Sequence, residues 1–112
     1  MLDNYKKYIN EIVEVVIDRP IGYNHKDMIY KINYGYIPNT IAEDNEEIDI
    51  YILDEQKPIK RCIAKVIAVI QRFDDIENKL VGVCDFNKNY TDKQIEELTS
   101  FTEKYFKTKI IR

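Results

Sequence analysis

The run from Arg61 to Phe73, Arg-Cys-Ile-Ala-Lys-Val-Ile-Ala-Val-Ile-Gln-Arg-Phe, sets the tightest limit on how this chain can fold. A strand with one wetted face alternates apolar and polar side chains, whereas here small and β-branched residues occupy both parities. Such a strand is either covered on two sides or rolled into a strongly curved barrel. Other segments fit that frame. Ile12, Val13, Val15, Val16 and Ile17 form a β-branched run stopped at Asp18-Arg19-Pro20, because Pro20 cannot donate to a ladder. Ile48 to Leu53 alternates, with Ile48, Ile50 and Ile52 on one face and Asp49 and Tyr51 on the other. Lys79 to Cys84 reads as the returning strand of a hairpin after the turn Asp74 to Asn78. Met1 to Asn10 is polar and aromatic and reads as a short strand or a turn. Thr91-Asp92-Lys93-Gln94 matches a capping box, and Ile95, Leu98, Phe101 and Tyr105 follow at near-helical spacing. The expected fold is mainly β (α+β): a small closed antiparallel barrel with a C-terminal α-helix packed on its flank.

Composition excludes several classes of function. At 112 residues, without repeat or linker, the chain reads as one domain over 1–112. A net charge of −3 with scattered Lys and Arg argues against a nucleic-acid partner held by bulk charge. No stretch is long and apolar enough for a membrane span, so no membrane role is expected. The two cysteines, Cys62 and Cys84, form no C-x-x-C pair and read as reduced core residues, and with no membrane span and no signal-peptide core a cytoplasmic setting is the default expectation.

The chemistry gathers in two acidic turns. Glu43 to Asp49 places five carboxylates in seven residues directly before an apolar strand. The spacing of Asp44, Glu46 and Asp49 lets a turn aim three oxygen ligands at one spot, the arrangement a hard divalent cation requires. Taken alone, an acidic run is more often a solvated loop. A second turn, with Asp74, Asp75 and Glu77, ends one step before Lys79; alone it would be a polar hairpin turn and an edge-strand lysine. Tyr30, Tyr34 and Tyr36 share one parity if their segment is extended, although tyrosines by themselves more often pack a core or its rim. His25, the only histidine, reads as an exposed loop residue. Two acidic turns, a lysine and a tyrosine cluster together are what hydrolysis of a phosphoanhydride demands. The substrate is a small polyanion, and a nucleophile approaches only once metal ions and cationic or phenolic donors neutralise its oxygens.

In this respect the sequence resembles the soluble family I inorganic pyrophosphatases. The resemblance rests on Asn33-Tyr34-Gly35-Tyr36, then Asp44-Asn45-Glu46-Glu47-Ile48-Asp49, then Asp74, Asp75, Glu77 and Lys79. That family carries an Asn-Tyr-Gly-Tyr segment followed by Asp-x-Asp-Pro-x-Asp; here Glu46 replaces the middle Asp and Glu47 the Pro. The resemblance implies an OB-like barrel and a Mg²⁺-dependent hydrolysis of diphosphate to two phosphates by metal-activated water, with Mn²⁺ an alternative ion. It implies Asp44, Asp49 and Glu77 as metal ligands, Asp74 or Asp75 as ligands of further ions, and Asp18 as a carboxylate behind them. Glu46 falls where the family places the base for the attacking water, with Tyr34 and Lys79 beside it. Tyr30, Tyr105, Lys107 and Lys79 fall among the substrate donors, and Lys26 is a candidate for the same role.

The departures define the alternatives. The loop before Tyr30 has no evident counterpart of the family's phosphate-binding Arg and of one Lys, leaving Arg19, His25 and Lys26 as the cations available there. Near the C-terminus Tyr105-Phe106-Lys107 displaces the expected lysine by one position, about 100° on a helix. The second reading is therefore a domain that binds metal and phosphate ligands with little or no turnover, or acts on a larger phosphoanhydride. The plainest is a small barrel used for protein contacts. The partner expected is a small-molecule diphosphate, and the resemblance leaves a homo-oligomer open.

Overall fold

The computed structural model describes residues 2–112, in the order α1 (Asp3–Lys6), β1 (Ile12–Arg19), β2 (Asn24–His25), β3 (Met28–Ile29), β4 (Asn33–Ile37), β5 (Ile48–Ile52), β6 (Arg61–Arg72), β7 (Lys79–Val83), α2 (Asp92–Glu103) and β8 (Thr108–Ile111). Strands β1, β4, β5, β7 and β6 follow one another around a barrel that closes through a β1–β6 pairing, and β8 adds to β6. The long apolar run is β6, and it serves as the seam. One of its edges pairs with β7; the other pairs first with β1, from Arg61 to Lys65, and then with β8, from Val69 to Arg72.

The closed barrel and the flanking helix are as expected from the sequence, with three differences. Strands β5 and β7 run parallel, Ile50 beside Leu80, because the β5-to-β6 connection passes over the place that β7 later fills. The barrel is thus antiparallel except at that one pair. Residues 3–6 are a short helix instead of a strand or turn, while Met1 lies outside the described residues. Finally, α2 ends at Glu103 and the chain turns back into β8, so Tyr105 and Lys107 are not on the helix. Tyr105 is 66% exposed and does not pack on the sheet.

Two apolar layers explain why β6 is apolar on both parities. Inside the barrel lie Val15, Ile17, Ile37, Ile48, Ile50, Ile52, Leu80 and, from β6, Ala64, Val66 and Val69, with fully buried Tyr5 of α1 packed against them. Outside it, between the sheet and α2, lie Tyr34, Tyr51, Val81, Val83, Ile95 and, from β6, Ala68 and Ile70. The inward parity of β6 changes from even to odd at an irregularity between Val66 and Ala68, where the pairing with β7 slips by one residue. A one-residue slip in a period-two strand exchanges its faces. Helix α2 starts as its sequence indicates: the Thr91 hydroxyl accepts from the Gln94 N–H, and the Gln94 side chain accepts from the Thr91 N–H.

Helix α2 covers only part of that outer face. The row Tyr34, Tyr51 and Val81 lies in its layer, whereas Tyr36 and Asp49, paired one step further along β4 and β5, and Lys79 at the start of β7 face a cavity. Gly35 sits at the back of this row, where a Cβ would fall 1.9 Å from the Val16 carbonyl oxygen. Only glycine lets β1 and β4 approach so closely. Among the described residues no helix is long and apolar enough to cross a membrane. Gly35→Ala is expected to cost about 3 kcal/mol, the upper range for a forced insertion into packed structure, measured as a lower urea midpoint at unchanged slope.

Candidate active site

The uncovered end of the outer face is a cavity of about 730 Å³. Its lining includes Asp18, Lys26, Tyr30, Tyr34, Asp44, Glu46, Asp49, Glu77, Lys79 and Tyr105, so ten residues singled out from the sequence meet in one place. Three do not. The Asp74 carboxylate accepts from the Lys107 backbone N–H at 3.0 Å, which ties the second acidic turn to the strand after the helix. Asp75 pairs with Arg72 at 3.0 Å. Asp74, Asp75 and Lys107 all lie outside the cavity lining.

Lys79 holds the floor together. It is 4% exposed, and its ammonium donates to the Tyr34 hydroxyl at 2.9 Å, to the Asp49 carboxylate at 2.6 Å and to the Glu77 carboxylate. A buried ammonium is tolerable only when its three donors are satisfied this fully. Burial, with the Asp49 carboxylate beside it, pushes the Tyr34 phenol well above its ordinary value, so it remains protonated. Tyr34 thus keeps its own O–H as a donor while accepting from Lys79.

The first acidic turn is built by local bonds. The Asp44 carboxylate accepts from the Glu46 N–H at 3.0 Å, and Asn45 adopts φ 65°, a conformation Asn tolerates better than most residues. Tyr5 anchors the turn from below, its hydroxyl donating to the Glu43 carboxylate at 2.5 Å. Glu46 is exposed at the cavity edge. Across the floor the Asp44 and Glu77 carboxylates stand close enough to shift each other's titration. Glu77 is the largest influence lowering the Asp44 pKa, while burial first and Asp44 second raise that of Glu77. Two carboxylates so placed need a proton or a cation between them.

Donor chemistry fits a hard cation. The acidic wall offers only oxygen, from Asp18, Asp44, Glu46, Glu47, Asp49 and Glu77. Among the described residues no three of these carboxylates already converge as a cation requires, and the Lys79 ammonium standing between Asp49 and Glu77 supplies the physical reason.

The opposite wall is aromatic and basic, and much of it escaped the sequence reading. Arg72 is 8% exposed. Its guanidinium donates to both Glu103 oxygens, at 3.0 and 2.5 Å, and to Asp75, and Phe106 lies over it at 3.8 Å. Glu103 also accepts from the Tyr51 hydroxyl at 2.6 Å. The signal for Arg72 was its parity with Ala68 and Ile70, hidden because the slip in β6 made that parity ambiguous. Phe106 occupies the cavity wall where the displaced lysine was expected.

A family model described as inorganic pyrophosphatase matches residues 4–111. This chain belongs to the inorganic pyrophosphatase family. Among its relatives, the inorganic pyrophosphatase of Halobacterium salinarum is 29% identical over 115 residues, covering 91% of this chain and 63% of the relative. That of Mycoplasma genitalium is 28% identical, covering 86% and 62%. Soluble inorganic pyrophosphatase 1 of Arabidopsis thaliana is 29% identical, covering 74% and 45%. This pyrophosphatase-family chain therefore spans less than two thirds of the length of these relatives. Its fold resembles the crystal structures of the inorganic pyrophosphatases from Ehrlichia chaffeensis, with TM-score 0.70, 16% identity and 90% and 85% coverage of the two chains, and from Neisseria gonorrhoeae, with TM-score 0.65, 25% identity and 86% and 74%.

Two tyrosines give this site a pH signature. Burial pushes the phenols of Tyr34 and Tyr51 well above the ordinary value of 10.0. Both groups are uncharged in the folded and unfolded chain below pH 10; above it the unfolded chain loses its phenolic protons first, so stability falls as pH rises. Ultraviolet titration of the nine tyrosines should leave these two silent until the alkaline unfolding transition, and ionisation of all nine in the folded chain would contradict the burial.

Proposed function

We propose that this chain is an inorganic diphosphatase: it hydrolyses diphosphate to two phosphates in a cavity that holds divalent cations, Mg²⁺ above all, on Asp44, Asp49 and Glu77. The observation that carries this reading is the Lys79 centre, where a buried ammonium, a protonated phenol and three carboxylates face the same space. A divalent cation bound there supplies charge neutralisation of the phosphoryl oxygens and acidifies a bound water.

This chain's own groups do the rest. The Lys79 ammonium lends its positive charge to the floor, where the Tyr34 hydroxyl that accepts from it presents an O–H to phosphoryl oxygens, and Tyr30 and Tyr105 present phenols from the basic wall. Glu46, exposed and fixed through its backbone N–H, receives the proton of the water that attacks phosphorus as the bridging P–O bond breaks. Asp18 stands behind the ligands at the end of β1. We assign no ligand role to Asp74 or Asp75 and no substrate contact to Lys107, since none of the three lines the cavity. Residues 1–112 act as one unit in this reading, and the unpaired thiols of Cys62 and Cys84 suit a cytoplasmic setting.

Phosphate release from diphosphate with Mg²⁺ is the direct test. Glu46→Gln should lower kcat by about 10² to 10⁴ with the fold intact. Asp49→Asn should lower release by about 100-fold or more, and EDTA should abolish it reversibly. Wild-type release no greater than that of Asp49→Asn would overturn the proposal. Calorimetric binding of diphosphate without release would favour the binding domain that turns nothing over.

A further inference from the structure

We propose that Arg19 is the principal phosphoryl-binding residue of the basic wall, aimed into the cavity by an irregularity in β1; the inference rests on the reading of the site as one for a phosphoanhydride. In a regular strand Asp18 and Arg19 would point to opposite faces. The pairing of β1 with β4 passes from Ile17 beside Gly35 to Arg19 beside Tyr34, so two residues of β1 stand against one of β4. A bulge of this kind re-aims side chains. Both Asp18 and Arg19 line the cavity as a result, a carboxylate toward the acidic wall and a guanidinium toward the aromatic one.

Tyrosines hold the guanidinium. Its Nη1 donates to the Tyr30 hydroxyl at 2.7 Å, and its Cζ lies 5.6 Å from the ring centroids of both Tyr30 and Tyr34. Tyr34 in turn accepts from Lys79, so Arg19 is fixed relative to the Lys79 centre through one shared side chain. The other Arg of this wall is committed: Arg72 spends its donors on Glu103 and Asp75. Arg19 uses one donor of five on a neutral hydroxyl and has no salt bridge among the described residues. A planar fork with parallel N–H groups still available is what binds two oxygens of a phosphoryl group at once. Its positive charge is felt locally, for it is the largest influence holding His25 below its ordinary pKa.

Three variants test this: Arg19→Ala, Arg19→Lys and Tyr30→Phe. Each is measured for KM and kcat with diphosphate, and by calorimetry for binding of imidodiphosphate and of inorganic phosphate, with and without Mg²⁺. Arg19→Ala should weaken imidodiphosphate binding and raise KM by about 30-fold or more, and Arg19→Lys should restore only part of it, because an ammonium keeps the charge without the fork. Tyr30→Phe, which frees Arg19 from its tether, should change both by a smaller factor. Urea unfolding of Arg19→Lys separates a binding loss from a folding loss. Wild-type turnover with unchanged KM and unchanged imidodiphosphate affinity in both Arg19 variants would overturn the role of Arg19 and leave the diphosphatase reading intact. Wild-type binding without hydrolysis, lost in Arg19→Ala, would overturn that reading and keep Arg19. A wild-type chain that neither binds imidodiphosphate nor hydrolyses diphosphate would overturn both.

Discussion

A buried ammonium has to be answered by charge on every side, and in this chain that requirement organises the site. Lys79 opens β7 on the outer face of the barrel, beside Asp49 of β5, with Glu77 two residues before it and Tyr34 on β4. The three strands are in register only if those partners meet, so the polar cluster and the sheet pairing specify each other. Desolvating the ammonium would cost several kcal/mol without such partners. The cluster that looks functional is therefore also what fixes the geometry of the strands beneath it, and the acidic turn bearing Asp44 is tied to the barrel through the Tyr5–Glu43 bond.

Departures from regular pairing decide which residues reach that face. On β1 the bulge brings Asp18 and Arg19 to one side; on β6 the slip after Val66 turns Ala68, Ile70 and Arg72 outward. Gly35 belongs to the same device, since its missing side chain allows β1 to lie against β4 at the point where the bulge begins. Regular strands would have sent Arg19 away from the cavity and Arg72 into the barrel, where no carboxylate awaits it.

Much of this was legible in the sequence where periodicity is clean. The alternation of Ile48, Ile50 and Ile52 against Asp49 and Tyr51 gave the two faces of β5 correctly, and Thr91 with Gln94 marked the start of α2. The crowding of carboxylates and tyrosines pointed to one cavity because each lies at a strand end or an adjoining turn. What stayed hidden has one cause. A single-residue shift in pairing leaves no mark in composition, so Arg72, at the end of the run from Arg61 to Phe73, read as part of a buried strand. Tyr5 and Glu43 lie 38 residues apart, and only the closed barrel brings them together. Displacement of Lys107 by Phe106 was visible as a shift of one position, but its outcome, a ring packed over Arg72 and a lysine whose N–H is held by Asp74, depended on where α2 stops.

The double use of β6 has a consequence for how the chain comes apart. Its first half is zipped to β1, near the N-terminus, its second half to β8, near the C-terminus, and the middle of its opposite side, Lys65 to Ile70, to β7. Contacts this distant in sequence make loop closure expensive early in folding and leave few ways to open a part of the barrel alone. Amide protons at the centre of β6 should therefore exchange with solvent only through the same global event that disperses the cavity, whereas the short β2–β3 hairpin beside the cavity mouth can fluctuate without it. Rigidity beneath the polar cluster and freedom at its entrance then follow from a single strand being long enough to have three neighbours.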